Sequence, residues 1–255
     1  MAAEQAATSD DAVLGGRLVL RQPRAGHRIG HDAILLAAAT PAHANEHAVE
    51  LGAGVGAAGL ALARRVAGLA VTLVEIEEEL AALARENAER NGLGGRVRVV
   101  CLDVGAPAGA FAAAELVPGT VDCVLMNPPF NAAQSPSPDR GRRIAHVASQ
   151  ETLEVWVGTA TRLLHPQGLV TLIWRADGLD AVLAVLAGNY GAITVLPLHP
   201  KPGASAIRVL ARAVKGSHAP LSILPGFTLA DATGKPTPEA EAVLRGAGAL
   251  CLAGA

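Results

Sequence analysis

Short apolar runs alternate along the chain with segments of helical spacing. His47–Leu51, Ala70–Val74, Arg96–Leu102, Val121–Met126, Leu169–Trp174, Ile193–Leu198 and Ile207–Val214 are runs of strand length, dense in Val, Leu and Ile. Runs that do not alternate with polar residues suit strands covered on both faces. Between them, Ala57–Ala67, Glu77–Asn91, Thr152–Leu164 and Gly178–Leu186 read as helices, the second stopped by Asn91-Gly92. Gly105–Gly119 reads as a loop or short helix. The pattern predicts an α/β fold: a doubly wound, mostly parallel, seven-stranded sheet, its last two strands closing an antiparallel C-terminal hairpin. No repeat and no long linker divides it, so residues 13–255 are expected to form one domain. Residues 1–12, polar, acidic and alanine-rich, are expected to be a disordered lead-in. Ser135–Gly141, with Pro136 and Pro138, is the internal segment expected to be mobile.

The run His47–Leu51 leads into Gly52-Ala53-Gly54-Val55-Gly56 and then a helix. A glycine turn lets a ligand approach the backbone, and the helix start offers free N–H groups. The next strand ends at Glu75, where a carboxylate meets a ribose diol. The one after ends at Asp103, placed to accept from an adenine amino group. Glu50, two residues before Gly52, is placed to receive an ammonium group. Gly54-Val55-Gly56-Ala57-Ala58-Gly59 also fits the dinucleotide pattern, with Glu75 at about the required 20 residues. On this half alone, NAD and S-adenosylmethionine both stand.

The fourth run decides between them, because it ends in Asn127-Pro128-Pro129-Phe130. Two consecutive prolines stop the strand and fix the backbone, so the Asn127 amide and the Pro128 carbonyl can turn toward a ligand. Phe130 can stack on a flat ring. An exocyclic amino nitrogen is a poor nucleophile because its lone pair is delocalised into the ring. Two acceptors for its hydrogens draw it toward tetrahedral geometry, an interaction realised mainly in the transition state. A nicotinamide enzyme has no use for such an ending.

Glu50–Gly56 with Asn127–Phe130 resembles the class I S-adenosylmethionine-dependent methyltransferases that modify amino nitrogens, which have a Rossmann-like fold. The opening Gly16-Arg17-Leu18-Val19-Leu20-Arg21-Gln22-Pro23, the following Gly26–Ala37, and the later Pro197-Leu198-His199-Pro200 and Pro236–Glu241 are similar to the bacterial tRNA1(Val) adenine-37 N6-methyltransferase family. The likeness runs from about Val13 to Arg245. It implies S-adenosyl-L-methionine as cofactor, tRNA as partner, Asn127, Pro128, Pro129 and Phe130 as catalytic residues, and Glu50, Gly52, Gly54, Gly56, Glu75 and Asp103 around the cofactor. It also implies that Gly30-His31-Asp32 lines the cofactor mouth and that residues 13–45 bind substrate. Asp32, ahead of Ala33-Ile34-Leu35-Leu36, reads as a helix N-cap as well. One departure is Asn131-Ala132-Ala133-Gln134, where many relatives continue with aromatic or acidic residues. A protein glutamine N5-methyltransferase, a ribosomal RNA guanine methyltransferase and a non-catalytic RNA-binding protein of the same fold remain open.

With 255 residues, 51% of them hydrophobic and 2% aromatic, the chain is long enough for one large core built of Ala, Val and Leu. The start has no basic and apolar leader pattern, no stretch is long and apolar enough to span a bilayer, and the cytoplasm is expected. Cys101, Cys123 and Cys251 have no metal-ligand spacing, and the first two read as buried thiols. A net charge of −2 is awkward for an RNA partner, but its distribution is uneven. Arg17, Arg21, Arg24 and Arg28 occur with no carboxylate between Asp11 and Asp32. Arg140, Arg142, Arg143 and His146 face only Asp139, and Lys201, Arg208, Arg212 and Lys215 occur in an acid-free stretch. The acids gather in Glu75–Glu79, Glu86 and Glu89. The three basic segments are expected at the carboxyl ends of the strands, with Arg17, Arg21, Arg24, Arg28, Arg142 and Arg143 touching RNA. His27, His31 and His146 read as surface or hydrogen-bonded histidines, and Trp156 and Trp174 as core.

Overall fold

The computed structural model describes residues 7–25, 28–129, 138–250 and 252, with the backbone alone at 138–149. In chain order the elements are β1 (Thr8–Val13), β2 (Leu18–Pro23), α1 (His31–Ala39), β3 (His47–Leu51), α2 (Ala57–Arg65), β4 (Ala70–Glu75), α3 (Glu78–Arg90), β5 (Val97–Cys101) and α4 (Ala108–Ala113). Then follow β6 (Val121–Met126), α5 (Pro138–Leu163), β7 (Leu164–Arg175), α6 (Leu179–Leu186), β8 (Tyr190–His199), β9 (Arg208–Lys215), β10 (Ser222–Ile223), β11 (Phe227–Thr228) and α7 (Pro238–Leu244).

The main sheet has the order β10-β8-β9-β7-β6-β3-β4-β5, with β11 also on β8. Strands β7, β6, β3, β4 and β5 are parallel, and β9 lies antiparallel between β7 and β8. These seven long strands are the seven apolar runs, in the doubly wound arrangement expected of them. The two-residue strands β10 and β11 add to the outer edge of β8.

Side chains alternate between two apolar layers. In β3, Ala48 faces the layer that includes α1, α2 and the end of α3, while Val49 and Leu51 face the layer under α4, α5 and α6. Cys123 and Leu125 of β6 join the first layer, and Val124 and Met126 the second. A strand covered twice has no solvent face, which is why these runs show no polar alternation.

Residues 8–12 correct one expectation: they are no disordered lead-in. They pair with β2 from Thr8↔Pro23 to Val13↔Leu18. Their acids, which read as a solvated tail, have partners. Asp10 binds Arg21 and Arg90, and Asp11 accepts from Gln22 and Arg28. Those partners hold both carboxyls below the usual range, Arg90 first for Asp10 and Gln22 first for Asp11. Residues 1–6 lie outside the described residues.

Asp32 is also corrected as an N-cap. The cap of α1 is Gly30, without a side-chain bond, and Asp32 sits inside the first turn. Its carboxylate meets Arg208 at 3.0 Å instead, joining α1 to the start of β9. The helix expected over Thr152–Leu164 begins at Pro138, so 138–141 of the segment expected to be mobile are helical. Its remainder, 135–137, lies outside the described residues.

Candidate active site

Parallel register levels the strand ends. Leu51 stands opposite Met126 on one side and Val74 on the other, and Glu75 opposite Cys101. Asn127, the Gly52–Gly56 turn, Glu75 and Asp103 therefore line one shelf along the carboxyl edge of the sheet. Doubly wound sheets bind ligands there.

The glycine turn is clamped from below. Ala53 N–H donates to Val74 O (2.9 Å) and Gly56 N–H to Ala53 O (2.8 Å). Glu75 is buried, and its carboxylate accepts from Gly54 N–H at 2.6 Å and from Glu77 N–H at 2.9 Å. It thus joins the turn to the start of α3. Two glycines of the turn serve different ends. Gly52 has φ +67°, and a Cβ there would lie 2.2 Å from the Trp156 ring of α5, so this glycine lets a helix side chain seat under the turn. At Gly54, φ +56°, a Cβ would meet nothing within 4 Å, so the turn presents bare backbone to open space.

Further along the shelf, Asp103 is exposed, with Oδ1 accepting from Gly105 N–H at 2.8 Å. Beside Glu75, Ile76 is 58% exposed although it follows a buried strand. An exposed aliphatic side chain at the end of this strand fits the face of a flat, apolar ring. The sequence reading missed it, and the signal was there: one isoleucine in an otherwise acidic Glu75–Glu79. Trp156, read as core, is half-buried against Gly52, and no spacing in the sequence announces that contact. Trp174 is core.

At the end of β6 the geometry changes character. Asn127 is half-buried, yet its Oδ1 is shut off from solvent and has no hydrogen-bond partner. Among the described residues, the other buried side-chain atoms without one are the Nε of three arginines and the Thr171 hydroxyl. Asn127 is the only carboxamide of that set. A buried acceptor left unpaired costs about 1–3 kcal/mol, and native exceptions ask for a reason. Pro128 is buried and Pro129 exposed, as a strand stop at the rim requires. Phe130 lies outside the described residues.

The methyltransferase small domain family model matches residues 26–176, more than half of the chain and all of this shelf. The chain belongs to that family. The tRNA1(Val) (adenine(37)-N6)-methyltransferase of Bacteroides fragilis (strain YCH46) is 29% identical over 185 residues, 72% of this chain and 75% of that protein. A protein of the same name from Porphyromonas gingivalis (strain ATCC 33277) is 31% identical over 184 residues, 70% of each. A crystal structure of a predicted O-methyltransferase from Agrobacterium tumefaciens superposes with a TM-score of 0.73 at 29% identity, covering 86% of this chain and 98% of that one. The cofactor is thus S-adenosyl-L-methionine.

Not every residue assigned to this methyltransferase's cofactor faces the shelf. Glu50 sits on the α2 side of β3 by strand alternation, buried, with Oε2 accepting from Gly59 N–H at 2.6 Å. Burial first, and the Glu75 charge after it, push its carboxyl up to about 8. It completes the first turn of α2. A Cβ on Gly59 would lie 2.8 Å from that oxygen, so the helix admits the carboxyl only because residue 59 is glycine.

The basic segments are spread more widely than expected. Arg17 binds the carbonyls of Leu14 and Arg245, by the amino-terminal edge of the sheet. Arg21 meets Asp10 (3.1 Å) and Glu86 (2.7 Å), and Arg28 meets Asp11 (2.9 Å). Arg24 donates to Thr8 O. Since β2 climbs along α3 toward the rim, Arg24 and Arg28 lie nearest to the shelf and Arg17 farthest. In β9, Arg208 is at the rim, but Lys215 is at the opposite end, where it holds the carbonyls of Thr161 and Leu164. Antiparallel β9 carries its charges down the sheet, so the acid-free stretch does not gather at one place. The side chains of Arg140, Arg142, Arg143 and His146, and residue His27, lie outside the described residues. His31 is exposed, Cys123 buried and Cys101 exposed, the last against expectation because β5 is an edge strand.

Proposed function

We propose that this methyltransferase methylates the exocyclic N6 of an adenine in tRNA, at the anticodon-loop position 37 of a valine tRNA. The observation that carries the reading is the unpartnered Asn127 Oδ1 at the mouth of the strand-end motif. An amide oxygen there takes one hydrogen of a planar amino group, and the Pro128 carbonyl takes the other. The names of the Bacteroides and Porphyromonas relatives support the same acceptor. When bound, S-adenosylmethionine supplies the methyl group as a sulfonium electrophile.

Gly54 and the turn around it seat the cofactor, with Glu75 toward the ribose, Ile76 and Asp103 toward the adenine, and Gly52, Gly56 and Glu50 holding the turn in shape. Asp32 and its partner Arg208 stand at the mouth. Asn127, Pro128 and Pro129 fix the amino group in line with the methyl, and Phe130 stacks on the base. Positioning of this kind supplies up to about 7–11 kcal/mol of a barrier. The base must leave its stack, which costs least in a loop. Arg24 and Arg28 at the rim, with Arg142 and Arg143 on α5, take phosphates; Arg21 exchanges its exposed, solvent-screened carboxylate partners for them, and Arg17 holds the segment 13–45 to the body. The work is done in the cytoplasm, by one domain. Among the described residues no helix is long and apolar enough to cross a membrane.

The Agrobacterium protein carries the name of an oxygen methyltransferase. An oxygen acceptor must lose its proton to a base, and neither an asparagine nor a proline is one. The test offers the protein S-adenosylmethionine with tRNA, ribosomal RNA or a protein extract, and the digested products are read by mass spectrometry. N6-methyladenosine confined to tRNA is expected. N2-methylguanosine, methylglutamine or a methyl ether would overturn the assignment.

A further inference from the structure

The inner face of α3 and its C-cap carry two asparagines one turn apart, Asn87 and Asn91, and both are spent on β2. Asn91 Oδ1 accepts from Val19 N–H (3.0 Å), and its Nδ2 donates to Val19 O (2.8 Å). Asn87 Oδ1 accepts from Arg21 N–H (2.7 Å), and its Nδ2 donates to Arg21 O (3.0 Å). Each carboxamide offers an acceptor and a donor to one residue of the strand, as a neighbouring strand would. The spacing matches: four residues of helix rise about 6 Å, two residues of strand about 6.6 Å. The β1–β2 hairpin is therefore docked to the helix by a ladder made of side chains.

The two asparagines differ in their remaining N–H. That of Asn91 goes to Asn87 O of the same helix at 2.7 Å. That of Asn87 goes to Val55 O, inside the glycine turn, at 3.0 Å. Asn87 is fully buried, and both N–H groups and the oxygen of its amide are engaged. The amide is planar and rigid, so a shift of the Val55 carbonyl must rotate it against the Arg21 backbone. In the low dielectric of the interior each of those bonds is costly to lose.

We infer that Asn87 is a positioning residue that couples the docking of the β1–β2 hairpin to the shape of the glycine turn, so that cofactor binding tightens the hairpin and the docked hairpin tightens cofactor binding. The coupling is reciprocal by thermodynamic necessity. It rests on the cofactor of the family and not on the RNA reading.

Hydrogen exchange of the full chain, with and without S-adenosylmethionine, tests it alongside calorimetry. In the wild type the cofactor should slow exchange at 18–23 several-fold. Asn91→Ala should speed exchange in the hairpin, keep its response to cofactor, and leave cofactor affinity within about 2-fold. Asn87→Ala should abolish the response and weaken cofactor binding on the order of 10-fold, in the usual range of coupling between sites. A role in stability alone would lower the melting temperature of both variants and leave the response in place. Should Asn87→Ala fail to fold, the wild type and Asn91→Ala still decide. Cofactor binding that leaves exchange at 18–23 unchanged in the wild type overturns the coupling, as does an equal loss of affinity in both variants. Absence of binding in wild-type calorimetry would instead remove the cofactor assignment, and the coupling with it.

Discussion

The two halves of the shelf are built on opposite principles. In the cofactor half, Ala53, Gly54 and Gly56 N–H and the Val55 carbonyl all have partners within the protein. In the acceptor half, Asn127 Oδ1 is buried with none. The first half has its shape before anything binds, and the second keeps one interaction in reserve. A catalyst gains rate only from interactions stronger in the transition state than before it, so an interaction held in reserve suits the half that meets the methyl acceptor.

The contrast breaks most sharply at Asn127. Asn127→Ala should lower kcat by about 10²–10³, about 2.7–4 kcal/mol, while calorimetry finds cofactor affinity unchanged. Because the oxygen has no partner to lose, thermal unfolding should show the variant at least as stable as the wild type. Near-normal turnover, or a large loss of stability, would mean that the amide is structural.

Gly52 and Gly54 separate shape from access within the cofactor half. Gly52→Ala should cost about 2–4 kcal/mol in urea unfolding, combining a left-handed backbone with a Cβ driven into the Trp156 ring. Gly54→Ala, with open space around it, should cost only about 1 kcal/mol, from the backbone alone, yet weaken cofactor binding more than its stability loss predicts. If the two variants lose stability equally, Trp156 does not seat under the turn.

The mildest effect is the one at Glu50. With its folded-state value pushed up to about 8, the folded protein keeps a proton that the unfolded chain releases at lower pH. Stability attributable to Glu50 should therefore fall as pH rises from about 4.5 to about 8. Glu50→Gln should remove that fall, so that the variant gains on the wild type as pH rises from about 5 to about 8.5 in paired urea titrations. An unchanged difference across that range would mean that Glu50 is ionised, and a lost cofactor affinity would return it to the ammonium role.

The seven strands and the C-terminal hairpin were legible because strands buried on both faces leave uninterrupted apolar runs. The turn, Glu75, Asp103 and Asn127 were legible because parallel strands end level, so residues at strand ends meet. What a linear reading could not see was pairing across the fold. Ser9-Asp10-Asp11 looks like a solvated tail until the register with β2 and the reach of Arg90 close it. The run of arginines from 17 to 28 looks unopposed until the same register brings Asp10 and Asp11 to it. Glu50 looks like part of the turn, although alternation along β3 already points it the other way. Trp156 needed the helix that follows Asn127 to be placed before its ring met Gly52.

The amide ladder on α3 grips β2 by main-chain atoms alone, at Val19 and Arg21. Leu18 and Leu20 fill the core between these points, while Val19, Arg21 and Pro23 fall on the alternate positions of the strand. Because the ladder does not read side chains, it survives changes at those positions, and replacing Arg21 removes only the ion pairs to Asp10 and Glu86. The charge displayed by this arm can thus be re-patterned while the handhold stays the same.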